Sequence, residues 1–200
     1  SLQIRRAVRA IVLAQNGRTG YFGDSMYHHG FAMLGLSEVY GAIDESLIWT
    51  GAEKGKRSIA KALELGVSCA VNAQKKNSWG GWRYSPDDNS ADTSVSGAVL
   101  MGLLAARNAG VKVPDACIER ALKYFKNSTS KTGMVAYSGG VGGFGESMNR
   151  SSIGTLVFAI GKQKEWDVYK SALGHITTRL EHREGGYPYY FRYYMAQALF

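Results

Sequence analysis

Two kinds of apolar pattern alternate along the chain. In the first kind, apolar residues recur at steps of three or four with charged residues between them, as Leu63, Val67 and Val71 do. This spacing places the apolar side chains on one face and is typical of an amphipathic helix with a solvated outer face. We call these segments the A helices. They are predicted to begin near Leu2, Gly55, Pro114 and Lys164.

The second kind of pattern is apolar on nearly every side. It covers residues 30–36, 95–106, 153–160 and 194–200, each of which follows one A helix. We call these segments the B helices. A helix without a charged face is buried between other helices, so the pattern predicts B helices inside and A helices outside. The best candidate strand, residues 134–137, is short, and the predicted fold class is all-α.

A glycine followed directly by an aromatic residue lies between A and B in every pair. These glycines are Gly20, Gly81, Gly143 and Gly186. A repeat of helix, turn and helix predicts two concentric layers, which form an α/α toroid, or an arc of one, of about four helical hairpins. Residues 1–200 are therefore predicted to be one domain. Because the apolar pattern runs to the last residue, we expect this domain to be a fragment of a longer chain.

The second turn resembles a motif of the prenyltransferase/squalene-cyclase repeat family. Gln74 is followed by Gly80-Gly81-Trp82, which is similar to the Gln…Gly-x-Trp motif, and residues 92–106 look like the helix that continues this repeat. The resemblance implies the α/α toroid of terpenoid cyclases and protein prenyltransferases. The family toroid commonly has more than four helix pairs, so four pairs imply a truncated segment, an open arc, or closure by a partner chain such as a homodimer.

The family resemblance also raises the question of cyclase chemistry. Squalene-hopene-type cyclases protonate an alkene with an aspartic acid in the signature Asp-x-Asp-Asp-Thr-Ala, and this chain has Asp92-Thr93-Ser94 at the matching place. Ser90 and Ala91 replace the two residues before Asp92, so the supporting carboxylates of the signature are absent there. A general acid needs such neighbours to shift its pKa. Asp92 is thus predicted to cap a helix, and it is a weak candidate for a catalytic residue.

Zinc chemistry is the second activity of the resembling family, whose prenyltransferases bind zinc through Asp, Cys and His side chains on inner helices. Cys69 lies late in the second A helix and Cys117 early in the third, so they are offset by about 15 Å at 1.5 Å per residue. We predict buried free thiols. The adjacent residues His28 and His29 point apart on a helix and cannot chelate together. The sequence predicts no metal site and no cofactor.

The A-to-B loops and the starts of the B helices are expected to meet at one end of the toroid. The candidate ligand-binding residues at this end are His28, His29, Asp87, Asp88, Asp92, Glu146, Arg150, Tyr187, Tyr190, Arg192 and Tyr193. An aromatic-rich concave end with mixed charges is typical of a binding pocket. We predict a non-catalytic domain that binds a hydrophobic or isoprenoid-like ligand, or a protein. The alternatives are an isoprenoid enzyme with catalytic groups outside this segment, and a structural segment of a multidomain protein.

Charge and hydropathy exclude two other kinds of partner. The chain has 24 Lys and Arg residues against 16 Asp and Glu residues, a net charge of +8, but the basic residues are spread over several A helices. A nucleic-acid surface would gather them into one stripe, so no nucleic-acid partner is predicted. No apolar run reaches the roughly 18–20 residues of a membrane-spanning helix, so no transmembrane segment is predicted.

Overall fold

The computed structural model describes residues 1–49, 57–138, 147–183 and 186–200. These ranges contain eight α-helices and no strand, which confirms the predicted all-α class. The helices are α1 (Leu2–Ala14), α2 (Met26–Val39), α3 (Ile59–Lys75), α4 (Thr93–Asn108), α5 (Asp115–Asn127), α6 (Met148–Ile160), α7 (Asp167–Thr177) and α8 (Pro188–Leu199). Residues 134–137 do not form the candidate strand, because Val135 makes only an isolated bridge with Thr129.

The B helices are longer at their N-terminal ends than the apolar pattern predicts. The clearest case is α8, which begins at Pro188, six residues before the predicted start at Tyr194. The first turns of α2, α6 and α8 carry polar and tyrosine side chains, so the apolar pattern begins only after them. Two A helices begin later than predicted: α3 begins at Ile59 after its N-cap Ser58, and α7 begins at Asp167.

Side chains cap the starts of the buried helices. Asp92 caps α4, as predicted, and its Oδ1 accepts a hydrogen bond from the Val95 backbone N–H at 2.8 Å. The cap of α6 is Ser147, whose side chain accepts from the Arg150 backbone N–H. Each cap satisfies a backbone donor that has no partner inside its helix.

The eight helices pack in two rows. In the inner row, α2 packs against α4, α4 against α6, and α6 against α8. In the outer row, α3 contacts α2 and α4, α5 contacts α4 and α6, and α7 contacts α6 and α8, while α1 packs on α2. The outer helices are therefore the predicted A helices; α3, α5 and α7 each contact two B helices, and α1 contacts α2.

Glycine lets α2 and α4 approach each other closely. A Cβ atom on Gly30 would lie 2.5 Å from the backbone carbonyl carbon of Ala98, and a Cβ on Gly102 would lie 2.5 Å from the Gly30 carbonyl oxygen. No side chain fits at either point, so backbone packs on backbone. This contact explains why the B helices contain glycine despite its low helix propensity.

A glutamine side chain makes the same two hydrogen bonds in each of the first two repeats. Gln74 Nε2 donates to the carbonyl oxygen of Gly80, at 2.6 Å, and to that of Cys117 in α5, at 2.9 Å. Gln15 Nε2 makes the equivalent bonds to Gly20 and to Ala62 in α3, both at 2.8 Å. Each glutamine thus ties its own turn to the A helix of the next repeat.

The third turn differs from the sequence prediction. Gly20 and Gly80 have positive φ angles of 75° and 88°, and each packs against a carbonyl oxygen of the next A helix. In the third repeat, the equivalent glycine is Gly133, with φ of 85° and its Cβ position 2.2 Å from the Ser171 carbonyl oxygen. The predicted Gly143 lies outside the described residues. Gly133 is followed by Met134 and Val135, so it has no aromatic residue in the next two positions, and the sequence pattern missed it.

Candidate functional site

A cavity of about 480 Å³ lies where the four inner helices begin. Its walls come from the first turns of α2, α4, α6 and α8 and from the loops that precede α4, α6 and α8. We call it the tyrosine cavity, because five of its nine lining residues are tyrosines. The lining residues are Tyr27, Tyr84, Ser94, Tyr137, Ser147, Asn149, Arg150, Tyr187 and Tyr190.

Two pairs of tyrosine hydroxyls link the walls of the cavity. The hydroxyl oxygens of Tyr27 and Tyr190 lie 3.1 Å apart and connect α2 with α8. Those of Tyr84 and Tyr137 lie 3.0 Å apart and connect the second loop with the third. Burial raises the pKa of Tyr27 and of Tyr190, and the hydrogen bond with Tyr137 is the largest cause of the raised pKa of Tyr84. These three phenols therefore stay protonated at neutral pH, and they can donate or accept hydrogen bonds.

One arginine lines the cavity, and a second packs against two of its tyrosine rings. The Arg83 guanidinium carbon is 5.8 Å from the centre of the Tyr84 ring and 5.9 Å from that of Tyr137, so it contacts both rings. Arg150 lines the cavity, and its Nε donates to the Val135 carbonyl oxygen at 2.9 Å. Both cations are thereby held in place beside the tyrosine rings.

Asp92 lies behind the cavity and does not line it. Its side chain is fully buried, Oδ1 caps α4, and Oδ2 accepts no hydrogen bond from any residue that the structure describes. Burial raises the pKa of this carboxyl group, while the Val95 N–H and the charge of Arg83 act in the opposite direction. Its charge in turn contributes to the raised pKa values of Tyr27 and Tyr84, so it is electrostatically linked to the cavity.

Three of the predicted binding residues, Arg150, Tyr187 and Tyr190, line the tyrosine cavity. Tyr193 lies on the exposed side of α8, where its ring meets that of Phe31 at 6.5 Å, and Arg192 is exposed on the same helix. The predicted residue Glu146 lies outside the described residues.

The predicted aspartates of the second loop line other surfaces. Asp87 pairs with Lys76 beside a separate groove next to α3, and Asp88 accepts a hydrogen bond from the Ser85 backbone N–H at 2.8 Å. Both contacts fix the part of the loop that follows Tyr84. The structure thus does not bring Asp87 and Asp88 into the lining of the tyrosine cavity.

The two adjacent histidines have different surroundings. His28 is exposed, whereas His29 is fully buried between α2 and α3. His29 Nδ1 accepts from the Phe22 backbone N–H at 3.1 Å, and Nε2 lies 3.0 Å from the Gly66 carbonyl oxygen, to which it donates as the neutral tautomer. Burial lowers the pKa of His29 to about 4. Both ring nitrogens are used inside the protein, and neither histidine lines the tyrosine cavity.

Six lining residues were not predicted from the sequence: Tyr27, Tyr84, Ser94, Tyr137, Ser147 and Asn149. A signal for two of them exists. Tyr84 lies two residues after the buried Trp82, and Tyr137 lies two residues after the buried Val135, so they occupy the same position in consecutive repeats. Once Gly133 is recognised as the third turn, this repeat position identifies both tyrosines.

Cys69 and Cys117 are buried free thiols, as predicted, and burial raises the pKa of each to about 11. Among the residues described, no three His, Cys, Asp or Glu side chains are placed to hold one metal ion. None of the described helices has the length and apolar character needed to cross a membrane.

The chain was also compared with known proteins. No protein family, curated protein or solved structure matches it.

Proposed function

We propose that this domain is a small α/α toroid of the prenyltransferase/squalene-cyclase type that binds a small molecule without catalysis. The packing order α2, α4, α6, α8 supports this arrangement, since the first and last of these helices also meet through Tyr27 and Tyr190. A row of four helices whose ends touch encloses a central space. The outer helices then form the second layer of the toroid.

The observation that carries the binding function is the convergence of five tyrosines on one cavity. They come from two inner helices and three loops, and sequence distances of up to 163 residues separate them. Aromatic walls with a few polar groups are the usual composition of small-molecule sites. We propose a ligand with an apolar body, such as an isoprenoid-like or aromatic molecule, that packs against these rings. We favour a small molecule over a protein partner, because the tyrosines line a concave surface.

Binding of phenylnaphthylamine, a neutral dye that fluoresces in apolar sites, tests this function. We expect saturable binding that Tyr84→Ala and Tyr190→Ala each weaken about tenfold, as the loss of an aromatic contact at a binding site does. Tyr189→Ala is the matched control, because Tyr189 is 83% exposed and does not line the cavity. Dye binding that is equal in all four proteins would refute the proposed site.

A second candidate function is polyprene cyclisation, and the surroundings of Asp92 favour it. The carboxyl group is fully buried, its pKa is raised by burial, and Oδ2 has no hydrogen-bond partner among the described residues. A carboxyl group whose pKa is raised by burial is a candidate general acid. Incubation with squalene and shorter polyprenes, followed by analysis for cyclic products, tests this function. Products that form with the wild type and vanish with Asp92→Asn would establish the enzyme and refute the non-catalytic proposal.

A further inference from the structure

We propose that the ligand of the tyrosine cavity is an uncharged alcohol or phenol, whose hydroxyl group joins the hydroxyls of Tyr27, Ser94 and Tyr190. This inference rests on the proposed binding function and adds one polar group to the apolar body of the ligand. The three residues line the cavity and come from three different inner helices, α2, α4 and α8. The tyrosine rings contact the apolar body, and the three hydroxyls contact the polar end.

Four hydroxyl groups from α2, α4 and α8 lie close together. Those of Tyr27 and Tyr190 are 3.1 Å apart. Burial is the largest cause of the raised pKa of both tyrosines, and a hydrogen-bonding interaction with the Ser94 hydroxyl acts in the opposite direction on both. The centre of the Tyr194 ring lies 4.8 Å from that of Tyr190, and these two hydroxyls affect each other's pKa. We call these four groups the hydroxyl cluster.

The hydroxyl cluster can form more hydrogen bonds than its members make with one another. Each hydroxyl has one donor and two acceptor lone pairs. In the pair of Tyr27 and Tyr190, one group donates and the other accepts, so the accepting hydroxyl still has its own O–H to donate. Tyr194 is fully buried, and its hydroxyl makes no hydrogen bond of ordinary geometry with any residue that the structure describes. A ligand hydroxyl, which both donates and accepts, adds hydrogen bonds to this cluster in either direction.

The surroundings of the hydroxyl cluster disfavour a negative charge. Burial is the largest cause of the raised pKa of Tyr27, Tyr190 and Tyr194, because a buried phenolate loses its hydration. The charge of Asp92 raises the pKa of Tyr27 further. A carboxylate of a ligand at this point would meet the same two costs. A neutral hydroxyl instead exchanges its hydrogen bonds with water for hydrogen bonds with the cluster.

Three matched probes test the inference by equilibrium dialysis. 2-Naphthol, 2-methylnaphthalene and 2-naphthoate have the same ring system and differ only in carrying a hydroxyl, a methyl or a carboxylate group. We expect the wild type to bind 2-naphthol about tenfold tighter than 2-methylnaphthalene, which corresponds to about 1.4 kcal/mol. Transfer from water alone favours the opposite order, because a methyl group is apolar and a hydroxyl group is not. 2-Naphthoate should bind more weakly than 2-naphthol, and tighter binding would refute the preference for an uncharged ligand.

Variants assign the preference to the hydroxyl cluster. Tyr27→Phe and Tyr190→Phe each remove one hydroxyl and keep the ring, so each should remove most of the difference between 2-naphthol and 2-methylnaphthalene. Tyr84→Phe removes a hydroxyl from the other tyrosine pair of the cavity, and it should keep the larger part of this difference. Tyr189→Phe is the control on α8, because Tyr189 is exposed and does not line the cavity, and it should keep all of the difference.

The outcomes separate the two proposals. If 2-naphthol and 2-methylnaphthalene bind with equal affinity and both bind more weakly to Tyr84→Ala, the cavity binds small molecules but the hydroxyl preference is refuted. If Tyr84→Ala and Tyr190→Ala change the binding of none of the three probes, the binding function itself fails. If Tyr84→Phe removes the difference as fully as Tyr190→Phe does, the ligand hydroxyl does not bind at the hydroxyl cluster and the inference is overturned.

Discussion

The hydroxyl groups of Tyr27 and Tyr190 lie 3.1 Å apart, although 163 positions separate the two residues. Their rings meet edge to face, with centres 6.5 Å apart, and the rings of Phe31 and Tyr193 repeat this contact one turn further along the same two helices. The first and the last inner helix thus touch through aromatic side chains. This contact both joins the ends of the helix row and forms one wall of the tyrosine cavity.

We expect Tyr27→Phe and Tyr190→Phe each to lower the free energy of unfolding by about 1 kcal/mol, the usual net contribution of one hydrogen bond. Because both changes remove the same bond, the double variant should lose little more than either single variant. Urea denaturation measures all three values. Tyr189→Phe, on an exposed residue, should change nothing. Additive losses in the double variant would mean that the two hydroxyls do not interact in solution.

The aromatic residue of the second turn is predicted to stabilise the packing of this turn against α3. Trp82 is 1% exposed, and its Nε1 donates to the Ala70 carbonyl oxygen at 2.8 Å. Trp82→Ala should cost about 3–5 kcal/mol, as expected for a large buried aromatic side chain. Trp79→Ala, three residues away, is the control because Trp79 is 46% exposed. Thermal and urea denaturation that give the same stability for both variants would argue against this role of Trp82.

Two glycines of α2 should respond in opposite ways to alanine. A Cβ on Gly30 would meet backbone atoms of Ala98 and Val99 at 2.5–2.7 Å, whereas a Cβ on Gly35 would meet no atom within 4 Å. Gly30→Ala should destabilise the protein by about 1–3 kcal/mol, because α2 and α4 must move apart. Gly35→Ala should stabilise it by about 0.5–1 kcal/mol through helix propensity. A stable Gly30→Ala protein would show that the two helices do not pack this closely.

The buried His29 predicts a loss of stability in acid. Burial lowers its pKa from 6.5 to about 4, so the unfolded chain binds a proton more readily than the folded protein does. His29 therefore makes its full contribution to the free energy of unfolding above about pH 6.5. This contribution declines as the pH falls toward 4, by roughly 3 kcal/mol in total. Urea denaturation at several pH values measures this slope.

Two variants assign the slope to one residue. His29→Gln should be less stable at neutral pH, because the Phe22 backbone N–H and the Gly66 carbonyl oxygen lose their hydrogen bonds to the imidazole ring. The stability of this variant should vary less between pH 6.5 and 4. His28→Gln, on the exposed neighbour, should keep the slope of the wild type. A His29→Gln protein with an unchanged slope would place the acid sensitivity elsewhere.

The repeat itself was predictable from local pattern. The alternation of amphipathic and apolar helices predicted the all-α class, because a helix buried on one face and a helix buried on all faces differ in the positions of their polar residues. Asp92 as a helix cap and the buried thiols of Cys69 and Cys117 followed from equally local rules. The third turn was not predictable in this way, since Gly133 lacks the aromatic neighbour that marks the other turns.

The amino-acid sequence by itself determined which segments become helices, which faces are buried, and that several polar and aromatic residues gather where the inner helices begin. Only the tertiary structure decided which of them share a cavity. Tyr84 and Tyr137 meet through their hydroxyls, and Tyr27 meets Tyr190, because the helices bring distant loops to one end. His29 is instead held in the interior, where its Nε2 lies 3.0 Å from the Gly66 carbonyl oxygen that only the folded chain places beside it. Asp92 caps its own helix, and only the tertiary packing buries its side chain. The spacing of residues along the chain shows which side chains share one face of a helix. A binding site depends instead on the distances between segments that are far apart in the sequence, and no spacing within one segment gives these distances.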